Sequence, residues 1–594
     1  MSEYIGGFLT TVPTTMALDA PRIASSWLKT FGEFLEGGDI SGATSCFVPH
    51  GFLRDILVFT WNNRTLAGQE RITAYLKDKL KPAAISQVKV DTRPYFGPEP
   101  RPLSPTAFGV CSGFTFNTAV GDGQGYAMLA ENENGEWKAL WVFMMLSDIK
   151  GHEESGPETG VYGGHTLAWH DVHRERRQAI ERDPHVLIIG GGQNGLNVAA
   201  RFRQMNIPTL IIEKTMRVGD VWRQRYPMMT LHTTKSQHGM LYQPYPANWP
   251  IYTPRDKLAD WLEQYAISQD LVVWTNSRAL PTPTYDPATK RWTVVIDHAG
   301  EHVTLHPAHI VLAAGTLGAP QIPSIPDAEL FEGSTIHSAA YPGGKDYVGK
   351  RTLVVGAGNS SADICQDLAF HKAAEVTMLQ RSTTCVVAAK NIRRMLEHVY
   401  PYDVPTDVSD FKTQALPFLA MRAMASARAD QMWADEAETH KGLREAGMKL
   451  NMGKDGSGQY PMVFERFGGY FLDVGVTDMI RSGQVKIKQG VEIARFTKNS
   501  AVFTDGSSLE IDAVVFATSY ENIRDTMRGL FGDAVMDKTS AVWGVDEEGE
   551  INGCYRPTGY PHLWYAGGDF VTSRFYSKQL ALEIKAIELG LMPS

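Results

Sequence analysis

Cysteine is scarce in this 594-residue sequence. There are five, Cys46, Cys111, Cys365, Cys385 and Cys554, odd in number, widely scattered and without a Cys-x-x-Cys pair. That pattern excludes a disulfide framework and a zinc ribbon, and it suits a reducing compartment, with the cytoplasm as the expected location. Excess positive charge is missing too. A formal net charge of -9 leaves no electrostatic footprint for nucleic acid or an anionic membrane. No apolar run approaches the roughly 20 residues that cross a bilayer; the most apolar, 186–189 and 310–314, are short and run into glycine. Residues 1–17 lack a basic start followed by an apolar stretch, so no secretory signal is expected, and the final Leu591-Met-Pro-Ser is no peroxisomal address. Low-complexity segments are absent. What remains is a globular composition long enough for two to four domains, with small-molecule chemistry as the expectation.

Residues 1–150 read as an α+β unit, with helical periodicity over 22–36 and 69–79 and aromatic alternation typical of strands near 110–117 and 137–144. The glycine-rich, polar stretch from Gly151 marks a boundary, and 151–182 reads as a linker. From about residue 183, short β-branched strands run into glycine turns and then helices, the texture of a doubly wound α/β fold, and this happens twice. The expected division is 183–343 for a first nucleotide-binding domain, 344–497 for a second, and 498–594 returning to complete the first. A charged helical stretch, about 391–450, reads as an insertion in the second.

The first glycine motif is His-Val-Leu-Ile-Ile-Gly190-Gly-Gly192-Gln-Asn194-Gly195, an apolar strand entering Gly-x-Gly-x-x-Gly and opening a helix. Gly190 permits a tight turn, Gly192 lets a pyrophosphate approach the backbone, and Gly195 lets the helix pack on the strand, while the helix N-terminus meets the anion. The next strand ends in Glu213, 23 residues after Gly190, where a carboxylate accepts hydrogen bonds from ribose hydroxyls. The second motif, Gly356-Ala-Gly358-Asn359-Ser360-Ser, replaces the third glycine by small serines, and its following strand ends in Arg381 instead of an acid. A guanidinium there matches a 2′-phosphate, so this site should prefer NADP; the competing reading of Arg381 is a solvated surface charge. Two dinucleotide sites in one chain argue for electron transfer from a nicotinamide to a flavin, with the acid-terminated first site suited to FAD.

Between the two motifs lies Phe331-Glu-Gly333-Ser-Thr-Ile-His337-Ser-Ala-Ala-Tyr341. It resembles the Phe-x-Gly-x-x-x-His-x-x-x-aromatic fingerprint of class B flavoprotein monooxygenases. Other segments are similar to that family. Gly219-Asp-Val221-Trp222-Arg-Gln-Arg225 resembles its Gly-Gly-x-Trp region beside the flavin, with Asp220 replacing the second glycine. The strand ends at Ala314 and Thr518 resemble its Ala-Thr-Gly motifs, with Ser519 departing from glycine, and Gly568-Asp569 resembles the segment that meets the ribityl chain. The bland readings are a core aromatic for Trp222 and a helix cap for Asp569. The resemblance covers about residues 180–594.

The fold class it implies is α/β, with two Rossmann-type domains for FAD and NADPH. Leu231-His232-Thr233 together with Phe471-Leu-Asp473-Val-Gly475 resembles the indole-pyruvate monooxygenase-like branch. The activity implied is reduction of FAD by NADPH, formation of a flavin C4a-(hydro)peroxide with O2, and transfer of one oxygen to a small organic substrate, with an aromatic 2-oxo acid favoured. His337 is expected at the inter-domain hinge, and His232 or Thr233 near the isoalloxazine. Alternatives are a Baeyer-Villiger or N/S-oxygenating enzyme of the same group, an NADPH-dependent flavin reductase or oxidase, and a binding protein on a dead flavin fold. The absence of a redox cysteine pair weighs against a disulfide reductase. The N-terminal unit resembles the cone-shaped NTF2/SnoaL-like α+β fold. His50 with Asp55 could mark an active site in it; the bland reading is a docking or dimerisation domain, which allows a homodimer.

Overall fold

The computed structural model describes residues 18–103 and 107–593; the readings of residues 1–17 and of the last residue lie outside them. The N-terminal unit is a seven-stranded sheet whose main path runs Asn63–Ala67, Phe47–Ile56, Trp137–Ile149, Gly121–Glu131, Phe108–Asn117 and Ser86–Val90, with Glu99–Pro102 pairing on Phe108–Asn117. Helix Ala20–Gly37 starts where Asp19 accepts a hydrogen bond from the Arg22 N–H and stops at Gly38, whose φ of 70° ends the spiral. Its buried residues Ile23, Trp27, Phe31 and Leu35 recur every four positions, so one face covers the sheet. Strand alternation then divides the sheet between two cores: Val142 and Met144 face this helix, while Trp141, Phe143 and Met145 face the rest of the chain.

The two glycine motifs each sit in a five-stranded parallel sheet. The first has the order Val272–Trp274, Thr209–Ile212, Val186–Ile189, His309–Leu312, Leu563–Tyr565. The second has Ser334–His337, Ala513–Phe516, Arg351–Val355, Glu375–Gln380, Lys486–Gln489. Its strands Ser334–His337 and Ala513–Phe516 come from outside residues 344–497, so those limits are too narrow: parallel partners are joined by long crossovers and leave no local sequence signal. The interval 151–182 is not all linker either. Residues Trp169–Arg182 form a helix with no fully buried residue.

Five helices between Ala389 and Glu445 fill the interval read as an insertion. One of them, Thr406–Gln414, reaches the C-terminal helix Phe570–Glu588, where the Arg574 guanidinium donates to both oxygens of Asp410 at 2.8 and 2.7 Å and to the carbonyls of Gln237 and Gly239, each at 2.7 Å. Phe411 on the same helix inserts against the N-terminal sheet, with ring centroids 5.4 Å from both Phe96 and Phe143. The N-terminal unit is further fastened by Arg54, which donates to Glu550 at 2.7 and 2.8 Å and to the Tyr576 hydroxyl at 2.7 Å, while Thr65 donates to Glu550 at 2.6 Å. Both charges are buried and fully hydrogen-bonded, the condition under which a buried pair is tolerated. Burial opposes the Glu550 charge, but Arg54 outweighs it and holds the carboxyl below its usual range.

His50 and Asp55 do not form a site. His50 is exposed, whereas Asp55 is buried, accepts from the Val58 N–H at 2.8 Å and the Tyr75 hydroxyl at 2.6 Å, and is pushed by burial up to about 7. Because Arg54 keeps its charge when its partner is lost, Glu550→Ala should destabilise the protein by about 3–5 kcal/mol. Denaturant unfolding checks this, and the double variant Arg54→Met/Glu550→Leu should recover most of the loss.

Candidate functional site: two facing nucleotide turns

At the first turn each glycine is required for a separate reason. Gly190 has φ 116°, and a Cβ on it would lie 2.4 Å from the Ala313 carbonyl oxygen. A Cβ on Gly195 would lie 2.0 Å from the Gly190 carbonyl oxygen, so no side chain fits between helix and strand. Gly192 is different: the nearest protein atom to its Cβ position is Val221 Cγ1 at 4.0 Å, so the protein leaves that space open. Gly192 is also the N-cap of helix Gln193–Gln204 and supplies no side-chain cap, which leaves N–H groups for an anion.

The other residues expected for FAD converge here. Glu213 is buried and accepts from the Gly191 N–H at 2.8 Å and from Thr215 at 2.9 Å. Asn194 donates to the Gly568 carbonyl at 3.1 Å, and its own buried Oδ1 has no partner. Trp222 donates to Gln193 at 3.3 Å. Gly219, at φ 89°, packs where a Cβ would meet the Ala259 carbonyl oxygen at 2.4 Å. Ala314 follows the strand beside Gly190. Asp569 caps helix Phe570–Glu588 through Thr572, so the helix-cap reading describes its contacts in the protein. Thr316, which sequence reasoning passed over, accepts from the Gly568 N–H at 2.5 Å.

The second turn repeats the plan. Gly356 has φ 123° with its Cβ position 2.5 Å from the Ala517 carbonyl oxygen, and Gly358 caps helix Asn359–Phe370 without a side-chain bond. The third-glycine position is Ser361, fully buried with its Oγ 2.9 Å from the Gly356 Cβ position, rather than Ser360. Asn359 accepts from the Leu472 N–H at 2.8 Å. Thr518 donates to the Gln321 carbonyl, and Ser519, standing where the family has glycine, takes the left-handed φ of 73°. Arg381 projects from its strand end, 76% exposed, and among the described residues pairs with Glu492 alone at 3.1 Å, leaving much of its guanidinium exposed.

The fingerprint residues pack within the second unit. Phe331 stacks on Phe496 at 5.1 Å; a Cβ on Gly333 would meet Phe331 at 2.3 Å and the Asp512 carbonyl oxygen at 2.5 Å; the Tyr341 hydroxyl donates to Asp367 at 2.9 Å. His337 is correspondingly committed. Its Nδ1 accepts from the Ala339 N–H at 3.1 Å and its Nε2 lies 3.1 Å from the Ser519 carbonyl oxygen, with burial holding its pKa below the ordinary value. Both ring nitrogens of His337 therefore have partners within the protein.

His232 lies against the second turn, its Nε2 3.2 Å from Asp363. The same carboxylate accepts from the Tyr226 hydroxyl at 2.7 Å. Asp363, on the helix that the second motif opens, thus joins the first unit's loop to the second unit's nucleotide helix. Burial disfavours charge on His232, but the hydrogen bond and charge of Asp363, aided by Asn359, outweigh it and raise its pKa. Thr233 contributes its carbonyl to His238 Nε2 at 3.0 Å. Arg225, close enough to lower the His337 pKa, has a buried Nε without a partner.

Two parallel sheets, each with a bare helix N-terminus at a glycine turn, define a two-dinucleotide oxidoreductase. The open space at Gly192 and the orphaned polar atoms of Asn194 and Arg225 fit bound nucleotides. A model of the flavin-binding monooxygenase-like family matches residues 183–524, and the chain belongs to that family. It is an NADPH-dependent flavoprotein oxidoreductase, with FAD and NADPH as cofactors. Among its relatives, the indole-3-pyruvate monooxygenase YUCCA1 of Oryza sativa subsp. japonica is 27% identical over 353 residues, 59% of this chain and 79% of the relative. The probable indole-3-pyruvate monooxygenase YUCCA4 of Arabidopsis thaliana is 27% identical over 362 residues, 60% and 81%. Of solved structures, cyclohexanone monooxygenase with ε-caprolactone bound aligns with a TM-score of 0.51 at 18% identity, covering 69% of this chain and 88% of that one; this likeness concerns the fold alone.

Gly192→Ala should fold with unchanged thermal stability in the FAD-free form yet bind FAD at least tenfold more weakly, since the space there is left for the pyrophosphate; flavin titration of the refolded protein checks it. The His232–Asp363 contribution is complete below the ordinary histidine value of about 6.5 and is lost as pH rises through the raised folded value. Thermal stability should fall across that window in the native protein, and His232→Gln should remove the fall.

Proposed function

We propose that this flavoprotein monooxygenase inserts one atom of O2 into a small organic acid, with an aromatic 2-oxo acid as the favoured substrate. The observation that carries this reading is the pair of glycine turns whose units are joined through Asp363, with an acid, Glu213, ending the strand after one turn and a largely exposed arginine, Arg381, paired with Glu492, after the other. The substrate choice is supported by the relatives, which are indole-3-pyruvate monooxygenases.

In this reading Gly190, Gly192, Gly195 and the helix they open hold the FAD pyrophosphate. Glu213 receives the ribose, and the segments around Gly219, Val221, Trp222, Ala314, Gly568 and Asp569 surround the rest of the molecule. Gly356, Gly358, Asn359, Ser360 and Thr518 hold NADPH, with Arg381 on the 2′-phosphate. Bound FAD supplies the hydride acceptor and the means of activating O2 that side chains lack. The protein's own part is to orient and to exclude water. His337 fixes the strand crossing, Tyr226 and His232 hold the second nucleotide helix against the first unit, and Arg225, over the Tyr226 ring, keeps a buried Nε without a partner. We read the N-terminal unit as an NTF2/SnoaL-like cone, on the strength of its seven-stranded mixed sheet and the long helix covering one face.

Turnover under 18O2 with NADPH and an aryl-pyruvate panel tests the reading. One labelled oxygen in the organic product is expected for each NADPH consumed. Hydrogen peroxide formation with no label in product from any member of the panel would leave an oxidase instead.

A further inference from the structure

A cavity of about 530 Å³ lies where the N-terminal sheet meets the helical segment 389–464. We propose that it is the substrate chamber of the reaction above, built for a bulky apolar anion larger than a single-ring 2-oxo acid, and that the N-terminal unit supplies one of its walls. The proposal rests on the monooxygenase reading for its link to catalysis but not for the ligand class. Tyr126, Met128 and Trp141, on the sheet face turned away from helix Ala20–Gly37, form one side. Met395, Met421 and Met424 form much of the other. Unbranched thioethers adapt to irregular apolar shapes, and the volume lies in the range of pockets that enclose drug-sized molecules, about 300–1,000 Å³.

The charge follows from which groups are already satisfied. Arg54 is neutralised by Glu550, and Arg101 and Lys412 share Glu99. Of the carboxylates that line the cavity, Glu436 accepts from the Ala388 N–H and Asn391, and Asp435 is exposed and accepts from Gln431. Arg394 and Asp435 are both exposed and face solvent, whereas Arg428 lines the cavity half-buried with no carboxylate partner among the described residues. The chamber is therefore apolar with one half-buried cation, Arg428, which suits an apolar molecule carrying a carboxylate or a similar anion. It also reaches the cofactor side. Tyr460 lines it and lies near enough to Asp569 for that carboxylate to add to burial in raising the phenol's pKa, and Gln459 lines it beside Tyr470, whose carbonyl oxygen is 3.6 Å from the Gly358 Cβ position.

The full-length FAD-loaded protein is titrated with 1-anilinonaphthalene-8-sulfonate, a multi-ring anion, and with its uncharged analogue N-phenyl-1-naphthylamine, both followed by fluorescence. Saturable one-to-one binding of both is expected. Arg428→Gln should weaken the sulfonate at least tenfold and leave the neutral probe within twofold, whereas Met128→Trp, which fills the N-terminal wall, should weaken both at least tenfold. Equal binding to native and both variants would overturn the chamber. Compounds that displace the probe should act as substrates or competitive inhibitors of NADPH-driven oxygenation, with the rate of flavin reduction unchanged in Met128→Trp. Displacement without effect on turnover would place the cavity off the reaction path and overturn its link to catalysis. Loss of flavin reduction in the native protein would instead count against the monooxygenase reading, leaving the binding result to decide the ligand class.

Discussion

Two close backbone approaches set the geometry on which the rest depends: Gly190 against the Ala313 carbonyl and Gly356 against the Ala517 carbonyl, each with room for no side chain. Each presses a strand-to-helix turn onto the neighbouring parallel strand, so the helix N-terminus opens at the carboxyl edge of its sheet, where nucleotides bind in doubly wound folds. Hydride transfer needs the two edges brought together, and the units that carry them are joined by side chains beyond the turns, chiefly Asp363, held by Tyr226 and His232.

Much of this was legible in the sequence because it is local. A strand, a glycine turn, a helix and a strand-ending residue lie within a few dozen positions, and their spacing reports their contacts directly. Contacts between distant segments were not legible. Arg54 and Glu550 meet across 496 positions, and the second sheet borrows strands at 334–337 and 513–516 that its own glycine motif does not announce. Asp363 stands on the helix that the second glycine turn opens, but its partners come from a loop more than a hundred residues earlier. The fingerprint histidine was found by its spacing, yet its partners, the Ala339 N–H and the Ser519 carbonyl, were not legible there.

The N-terminal unit belongs to the same logic. Its sheet has one face sealed by its own helix and a second face that would be exposed without Phe411 and the C-terminal helix. The buried bond from Arg54 to Glu550 and the bond from Arg574 to Asp410 hold these pieces in register, and the space they leave between the sheet and the helical segment is the cavity beside the cofactor edge. Docking of the extra unit and shaping of the substrate space are one structural event.

The most direct test of the central claim is anaerobic mixing of the FAD-loaded protein with NADPH or NADH while the flavin absorbance is followed. The account predicts that one equivalent of NADPH bleaches the flavin band and that NADH does so at least tenfold more slowly, because Arg381 lies open to the 2′-phosphate. Equal bleaching by both nucleotides would contradict the assignment of the second site, and no bleaching by either would contradict electron transfer between the two turns.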